Sequence, residues 1–386
     1  MKTRSENLDR LQEHFFAGLE EQLARLNAQG RKIYRLDVGS PDLPPAAHIL
    51  AALHHSADQP DHHGYQPLRG APAVHQAWVS HYQQHYAVTL DANRQVLPLI
   101  GSKEGIFIIT QAVCNSGDVV LVPDPGYPIY AQAALFAQAE PYFIPLRAEN
   151  GWLPDLSAIP EQALRRARML WLSYPNNPTS GIASLEFFAS AVAFARQHDL
   201  LLCHDAAYSL VVFGNTRPIS LLQIPGAAEV AVEFNTLSKA YNMAGWRIGA
   251  ALGNPLALQS IYSVLAVMTS GSFRPANEAA IAALTGDQSW ITSRNAVYQR
   301  RRDLVLHTLH HLGWKAEAPQ AGLYIWFHIP PGYSTSDEFC QALLEQTGVS
   351  LTPGSVFGSQ GEGYVRLSFT LPDEILQEAL DRLSQL

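Results

Sequence analysis

The segment MLWLSYPNNPT (Met169–Thr179) sets a short apolar run directly against a cluster of turn-forming residues. The run lacks the alternation of a half-exposed strand and is too short for a helix, so it reads as a strand buried on both faces. Pro175 and Pro178, with Asn176 and Asn177, stop it. The same construction repeats on either side. Apolar runs recur at VLPLI (Val96–Ile100), DVVLV (Asp118–Val122), PYFIPL (Pro141–Leu146), LLLCH (Leu200–His204), VAVEF (Val230–Phe234) and IGAAL (Ile248–Leu252). Helical periodicity fills most of the gaps, as in Glu104–Cys114, Leu185–His198 and Pro255–Met268. Doubly buried strands joined by helical crossovers predict an α/β fold, with a mainly parallel central sheet between helices.

Outside this region the pattern changes. The chain opens with an amphipathic helical pattern over Met1–Leu26, then a short strand in IYRLDVGSPDLPP and a helix from Ala46 to about Leu53. A long helical pattern covers Asp287–Leu312, followed by strands in LYIWFHI and YVRLSF and a last helix near Asp373–Leu386. We therefore expect a large α/β domain over residues 45–280 and a smaller α+β domain formed from residues 1–44 and 281–386.

Of the 386 residues, 47% are apolar and 16% charged, enough for a large buried core and unlike a disordered polymer. The 26 basic and 34 acidic residues leave a net charge of −8, which offers no general attraction to nucleic acid or to an anionic membrane. Any anion must be held locally. Cys114, Cys203 and Cys340 are odd in number and sit in apolar segments, where they read as buried reduced thiols, an intracellular disulfide remaining the alternative. No segment resembles a signal peptide or reaches the ~18 apolar residues needed to cross a bilayer. A cytoplasmic location is expected.

The polar residues cluster where the strands end. VLPLI is followed by Gly101-Ser102-Lys103-Glu104-Gly105, LLLCH by Asp205-Ala206-Ala207-Tyr208, and VAVEF by Asn235-Thr236-Leu237-Ser238-Lys239. Ligands of open parallel sheets bind along that carboxyl-terminal rim. A Gly-Ser start to a helix, the Thr236 and Ser238 hydroxyls and the Arg247 guanidinium suit a phosphate. Asp205, after an apolar strand, calls for a cationic partner, and Lys239 is an amine placed for Schiff-base chemistry. A phosphate, a ring cation and an amine nucleophile together point to pyridoxal phosphate.

These residues also carry a resemblance. TLSKAYNMAGWRIG (Thr236–Gly249) resembles the cofactor-lysine signature of the class I aminotransferases among the fold-type-I pyridoxal-phosphate enzymes. YPNNPT, HDAAY and YVRLSF match that family's other blocks in the same order, and the resemblance spans essentially the whole chain. VLPLIGSKEGI, LVPDPGYPIY, ENGWLPDL and LWLSYPNNPT look most like the LL-diaminopimelate aminotransferase group.

The resemblance implies a ping-pong transamination between an L-amino acid and a 2-oxo acid. It implies that Lys239 forms the aldimine with the cofactor and moves the substrate proton, that Asp205 pairs with the pyridinium nitrogen, and that Tyr127 stacks on the ring. Asn177 and Tyr208 would bond the phenolic oxygen of the cofactor, and Ser102, the Lys103 backbone, Thr236, Ser238 and Arg247 its phosphate. Arg366 would take the substrate carboxylate with Asn177 and the Gly39 backbone. Tyr65, in HGYQPLRG, would reach the phosphate in a neighbouring subunit, making the active unit a homodimer.

Other readings compete. The same blocks occur in broad-specificity alanine, aspartate or aromatic aminotransferases, and a cysteine-conjugate β-lyase would use the same lysine. A regulatory sensor on this fold would carry a DNA-binding domain, for which one N-terminal helix leaves no room. His81 and His85 share a helical face but lack a third ligand, so a solvated face is expected and no metal site. Arg300, Arg301 and Arg302 are expected to form ion pairs. Two positions depart from the family pattern: Ser180 stands where glycine is common, and Val74-His75 where Leu-Arg is common.

Overall fold

The computed structural model describes residues 3–11 and 15–386. In chain order the strands are β1 (Tyr34–Arg35), β2 (Val96–Leu99), β3 (Val119–Asp124), β4 (Glu140–Pro145), β5 (Ala167–Ser173), β6 (Leu201–Asp205), β7 (Ala231–Thr236), β8 (Gly249–Gly253), β9 (Tyr324–His328), β10 (Val349–Ser350), β11 (Thr352–Pro353) and β12 (Tyr364–Ser368). The central sheet runs β2-β8-β7-β6-β5-β3-β4.

Its inner strands are largely apolar because both faces are covered, whereas the edge strand β4, expected to be buried, leaves Glu140, Phe143 and Pro145 exposed because no further strand pairs beyond it. In β5, Met169 and Trp171 enter one apolar cluster while Leu170 and Leu172 enter another. Successive side chains of a strand point to opposite faces, so a run with no alternation is what two buried faces require. The helices Ser102–Val113 and Pro255–Met268 supply residues to the first cluster, and Pro72–Tyr86, Leu185–Gln197 and Arg274–Thr285 to the second.

The sheet is mixed at one strand. β8 runs antiparallel to both β7 and β2, whereas β3, β4, β5, β6 and β7 pair in parallel. The segment from Leu237 to Ile248 contains only the short helices Leu237–Ala240 and Ala244–Trp246. It is too brief to carry the chain back across the sheet, so the next strand returns alongside β7 in the opposite direction. The register Leu99↔Gly249 and Gly249↔Thr236 therefore brings the start of β8 to the rim where β2 and β7 end.

A smaller α+β part gathers around β11-β12-β9 and β1-β10. Tyr34 pairs in parallel with Val349, which ties the early chain to its last hundred residues. Its core combines Leu36, Tyr298, Leu323, Phe327, Phe339 and Leu376. Val211 and Phe213 from the central region pack there too. The expected opening helix appears as Glu6–Asp9 and Phe15–Ala28, and its remaining positions 1, 2 and 12–14 lie outside the described residues. The long helix is Ser289–His311, and Arg300, Arg301 and Arg302 pair with Asp373, with Asp42 and Asp373, and with Asp303.

His81 does not lie on a solvated face. It is buried on the inward face of Pro72–Tyr86 with Trp78 and Tyr82 and against Tyr241, while Gln76, Gln83 and Gln84 take the exposed face of that helix. The three cysteines are free and buried. No described helix is long and apolar enough to cross a membrane.

Candidate active site

The ends of β2, β6 and β7 and the start of β8 surround a cavity of about 430 Å³, closed on its other side by Val38 and Gly39, Tyr324 and Arg366. At one end of the cavity, Gly101 precedes the helix Ser102–Val113 with φ +83, and a Cβ there would overlap the Arg247 guanidinium. Glycine serves both needs, the left-handed backbone and the close approach. Thr236 caps the helix after β7: its Oγ1 accepts from the Ser238 N–H at 3.2 Å and lies 2.9 Å from the Ile248 carbonyl oxygen. Ser238 Oγ is 3.5 Å from Arg247 Nη1. Arg247 is exposed, has φ +57, and has no carboxylate partner among the described residues. Ser102, Lys103, Thr236, Ser238 and Arg247 thus line one end of the cavity. Helix-start N–H groups, hydroxyls and a free guanidinium make an anion cup.

Lys239 and Asp205 line the middle. Lys239 is partly buried, and its Nζ donates to the Gly39 carbonyl oxygen at 2.6 Å. Burial lowers the Lys239 ammonium below the ordinary lysine range, and the charges of Arg366 and Arg247 act in the same direction. Asp205 accepts from Tyr130 Oη at 2.9 Å and from the Ala207 N–H at 3.1 Å. Burial nevertheless holds its carboxyl above the usual range, and no described cation forms an ion pair with it. Tyr127 faces the same cavity, 6.2 Å from Tyr130 in an edge-to-face contact, with the Lys103 ammonium 5.8 Å from its ring centre.

At the far end, Arg366 is 3% exposed. Nη1 donates to Asn177 Oδ1 at 2.8 Å, and Nη2 to the Asp37 carbonyl oxygen at 2.7 Å and Thr352 Oγ1 at 3.3 Å. Its Nε has no partner, and no described carboxylate meets it. Its guanidinium lies 4.2 Å from the Tyr324 ring centre and 4.7 Å from that of Phe357. Tyr324 Oη is 2.8 Å from Tyr208 Oη. A Cβ at Gly39 would overlap that Tyr324 phenol, so only glycine lets the two segments meet. At the mouth, Arg35 joins Asp37 at 2.8 Å and Glu20 at 2.9 Å.

All the candidate residues gather here except Tyr65, which is 93% exposed and lies outside the cavity. The structure adds Tyr130, Tyr324, Asp37, Arg35 and Glu20, none of which the sequence pattern singles out. Tyr324 and Tyr130 read as core aromatics in LYIWFHI and PGYPIY, and the only hint is a phenol that needs a partner when buried. The two departures are accommodated. Ser180 takes φ +58, and its Oγ donates to the Tyr324 carbonyl oxygen at 2.8 Å. His75 bridges the carbonyl oxygens of Arg69 and Ala92, each at 2.7 Å.

Residues 31–383 match the family described as aminotransferase class I and II. The chain is 44% identical over 380 residues to LL-diaminopimelate aminotransferase 2 of Trichormus variabilis, covering 98% of this chain and 97% of that one. It is 46% identical over 370 residues to the LL-diaminopimelate aminotransferase of Desulforudis audaxviator, covering 96% and 94%. Among solved structures, substrate-bound BacF of Bacillus subtilis superposes with a TM-score of 0.96 at 36% identity, over 100% of this chain and 98% of that one.

Proposed function

We infer how the work is divided in a chain that belongs to the class I and II aminotransferases: it is a fold-type-I enzyme that uses pyridoxal phosphate to exchange amino groups by a ping-pong mechanism. The residues fit that cofactor. Asp205 is a buried carboxylate lacking a cation, and a protonated ring nitrogen would supply one. The cup of Ser102, the Lys103 backbone, Thr236, Ser238 and Arg247 would hold the phosphate. Asn177 and Tyr208 would bond the phenolic oxygen, and Tyr127 would cover the ring. When bound, the cofactor supplies an electron sink for the bond broken at the substrate Cα.

Lys239 Nζ would remove the Cα proton and deliver a proton to the neighbouring carbon. Its lowered pKa supports this, because a base must be free of its proton near neutral pH. The Gly39 carbonyl oxygen accepts from that amine and holds it in the cavity.

The observation that carries the substrate reading is Arg366, a buried guanidinium with an unpaired Nε and only neutral partners. A buried charge without an opposite charge is costly, and the α-carboxylate of an amino acid would offset it. Asn177 and the Gly39 backbone would complete that grip. We propose an L-amino acid with a distal amino acid group, as in LL-diaminopimelate. At the mouth, Glu20 and Arg35 pair with each other and Arg35 also with Asp37, and a distal amino group would compete with Arg35 for the Glu20 carboxylate.

We also propose a homodimer with Tyr65 reaching the second subunit's phosphate cup. Tyr65, Val267, Met268 and Phe273 are exposed apolar side chains, Val267 at 90%, and the Phe273 and His63 rings lie 6.3 Å apart. Monomers rarely leave a large apolar patch uncovered, and a second subunit would cover these side chains. A two-lobed division, residues 45–280 against residues 1–44 with 281–386, would set the cavity between the lobes. Three free thiols suit a reducing cytoplasm.

The test is a half-reaction screen. Each amino acid is added to the holoenzyme, and conversion of the cofactor to its amine form is followed by absorbance. LL-diaminopimelate should convert it fastest. Rapid conversion by alanine, aspartate or phenylalanine with none by diaminopimelate rejects the substrate, and release of pyruvate from cysteine conjugates without a 2-oxo acid identifies a lyase.

A further inference from the structure

Tyr324 joins two groups that the reaction uses at different moments. Its hydroxyl lies 2.8 Å from that of Tyr208, and both side chains are buried. Its ring lies under the Arg366 guanidinium at 4.2 Å. Strand register explains the second contact: Arg366 of β12 stands opposite Trp326 of β9, so Tyr324, two residues along, is its diagonal neighbour on the same face. Ser180 fixes the Tyr324 carbonyl, and Gly39 leaves space for the phenol.

The hydrogen bond between the two phenols can run in only one direction at a time. Each hydroxyl has one proton, and neither has another hydrogen-bond partner among the described residues. If Tyr208 donates to Tyr324, it has no proton left for the cavity. If Tyr324 donates to Tyr208, the Tyr208 proton is free to point at an acceptor there. A phenolic oxygen on the cofactor would be such an acceptor, and it would favour the second arrangement. Chained hydrogen bonds strengthen one another, so Tyr208 becomes a stronger donor because Tyr324 stands behind it.

We propose that Tyr324 is a positioning residue that makes Tyr208 a donor to the cofactor and links the strength of that bond to the charge at Arg366. The proposal rests on the placement of Tyr208 and Arg366 given above. A cation over the face of a phenol draws electron density from it and makes its hydroxyl a better donor. Were a substrate carboxylate to neutralise Arg366, Tyr324 would donate less strongly to Tyr208, and Tyr208 would donate less strongly to the cofactor, whose linkage to Lys239 would then hold its proton more tightly. Arrival of substrate at one end of the cavity is thus felt at the other without any movement of the backbone.

Tyr324→Phe keeps the ring under Arg366 and removes only the hydroxyl, so the fold has no reason to fail. The readout is the pH midpoint of the visible absorbance change of the holoenzyme, with and without saturating maleate, a carboxylate that has no amine and cannot displace Lys239. Tyr324→Phe should raise the midpoint by about half a unit or more, the size of one neutral hydrogen bond. Tyr208→Phe should raise it at least as far, and the double variant no further than Tyr208→Phe alone. Maleate should raise the wild-type midpoint, and Tyr324→Phe should lose at least half of that response. A midpoint in Tyr324→Phe equal to wild type, or fully additive shifts in the double variant, would overturn the proposal. An unchanged midpoint in Tyr208→Phe removes Tyr208 from the cofactor and takes the proposal with it, whereas a shift in Tyr208→Phe alone rejects only the role of Tyr324.

Discussion

Lys239 Nζ sits 2.6 Å from the carbonyl oxygen of Gly39, a contact that spans 200 residues of sequence and sets the amine at the centre of the cavity. An amine held by one neutral acceptor, in a place where burial lowers its pKa, is ready to leave that acceptor for a better partner. Lys239→Ala should abolish the borohydride-reducible linkage to the cofactor and cut turnover by about 10²–10⁴-fold or more. Retention of a reducible linkage in the variant excludes this lysine.

Asp205 gives a second test. Its carboxylate is buried and held above its usual range until a cation arrives. Asp205→Asn keeps the shape and removes the charge, so the variant should still bind pyridoxal phosphate while turnover falls by roughly 10²–10³-fold. Turnover close to wild type would show that the ring nitrogen does not depend on this group.

Arg366 should act chiefly on substrate and reach the cofactor only through Asn177 and Tyr324, not through the groups that would hold its phosphate. Its guanidinium contacts Asn177, Asp37 and Thr352, and none of the phosphate cup. Arg366→Lys cannot form the paired fork to a carboxylate. KM for the amino acid should rise by about 10- to 100-fold, equivalent to one charge-assisted hydrogen bond, with cofactor affinity unchanged. Loss of cofactor instead would place Arg366 elsewhere in the mechanism.

Beneath the cavity, Glu233 is buried and accepts from His204 Nδ1 at 2.8 Å, from Tyr82 and Ser220 hydroxyls at 2.7 Å each, and from the Leu221 N–H at 2.8 Å. Burial works to raise its pKa, but these donors outweigh burial and hold the carboxyl below its ordinary value of 4.5. A carboxyl depressed in the folded state stabilises the fold above its unfolded pKa, and that contribution is lost as pH falls through the folded value. Denaturation midpoints of wild type should therefore drop below about pH 4.5, and Glu233→Gln should flatten part of that acid limb. Leaving the buried donors around Glu233 with a weaker partner should also cost about 1–3 kcal/mol at neutral pH. Identical acid limbs in the two proteins would remove Glu233 as a source of the slope.

The exposed side chains of Tyr65 and Val267 yield a prediction on assembly. Val267→Asp puts a charge at a position 90% exposed in the single chain, which the proposed dimer would cover. Sedimentation should show monomers, and Tyr65→Phe should remain dimeric with weaker cofactor binding. A wild-type protein that sediments as a monomer while binding pyridoxal phosphate normally would reject the cross-subunit contact.

Local pattern alone is enough for the strands of the central sheet and for the chemistry at their ends. Apolar runs such as MLWLS and LLLCH need both faces covered whatever surrounds them, and Asp205, Ser238 and Lys239 come after strands that could end only at one rim. Periodicity belongs to the local chain, so it survives in a single sequence. Contacts made by distant packing leave no such trace. Arg247 is picked out in the sequence by its guanidinium and its place after Lys239, but it precedes β8 rather than ending a strand, and the antiparallel return of β8 is what carries it to the anion cup. His81 reads as solvent-facing because its helix is polar by composition, yet it falls on the face of that helix that turns inward against Tyr241. Tyr130 and Tyr324 count as core aromatics in any reading of the chain, since hydropathy records the ring and not what the hydroxyl meets. Their partners, Asp205 and Tyr208, are set by packing that joins residues 75 and 116 positions apart, a separation that no local pattern encodes.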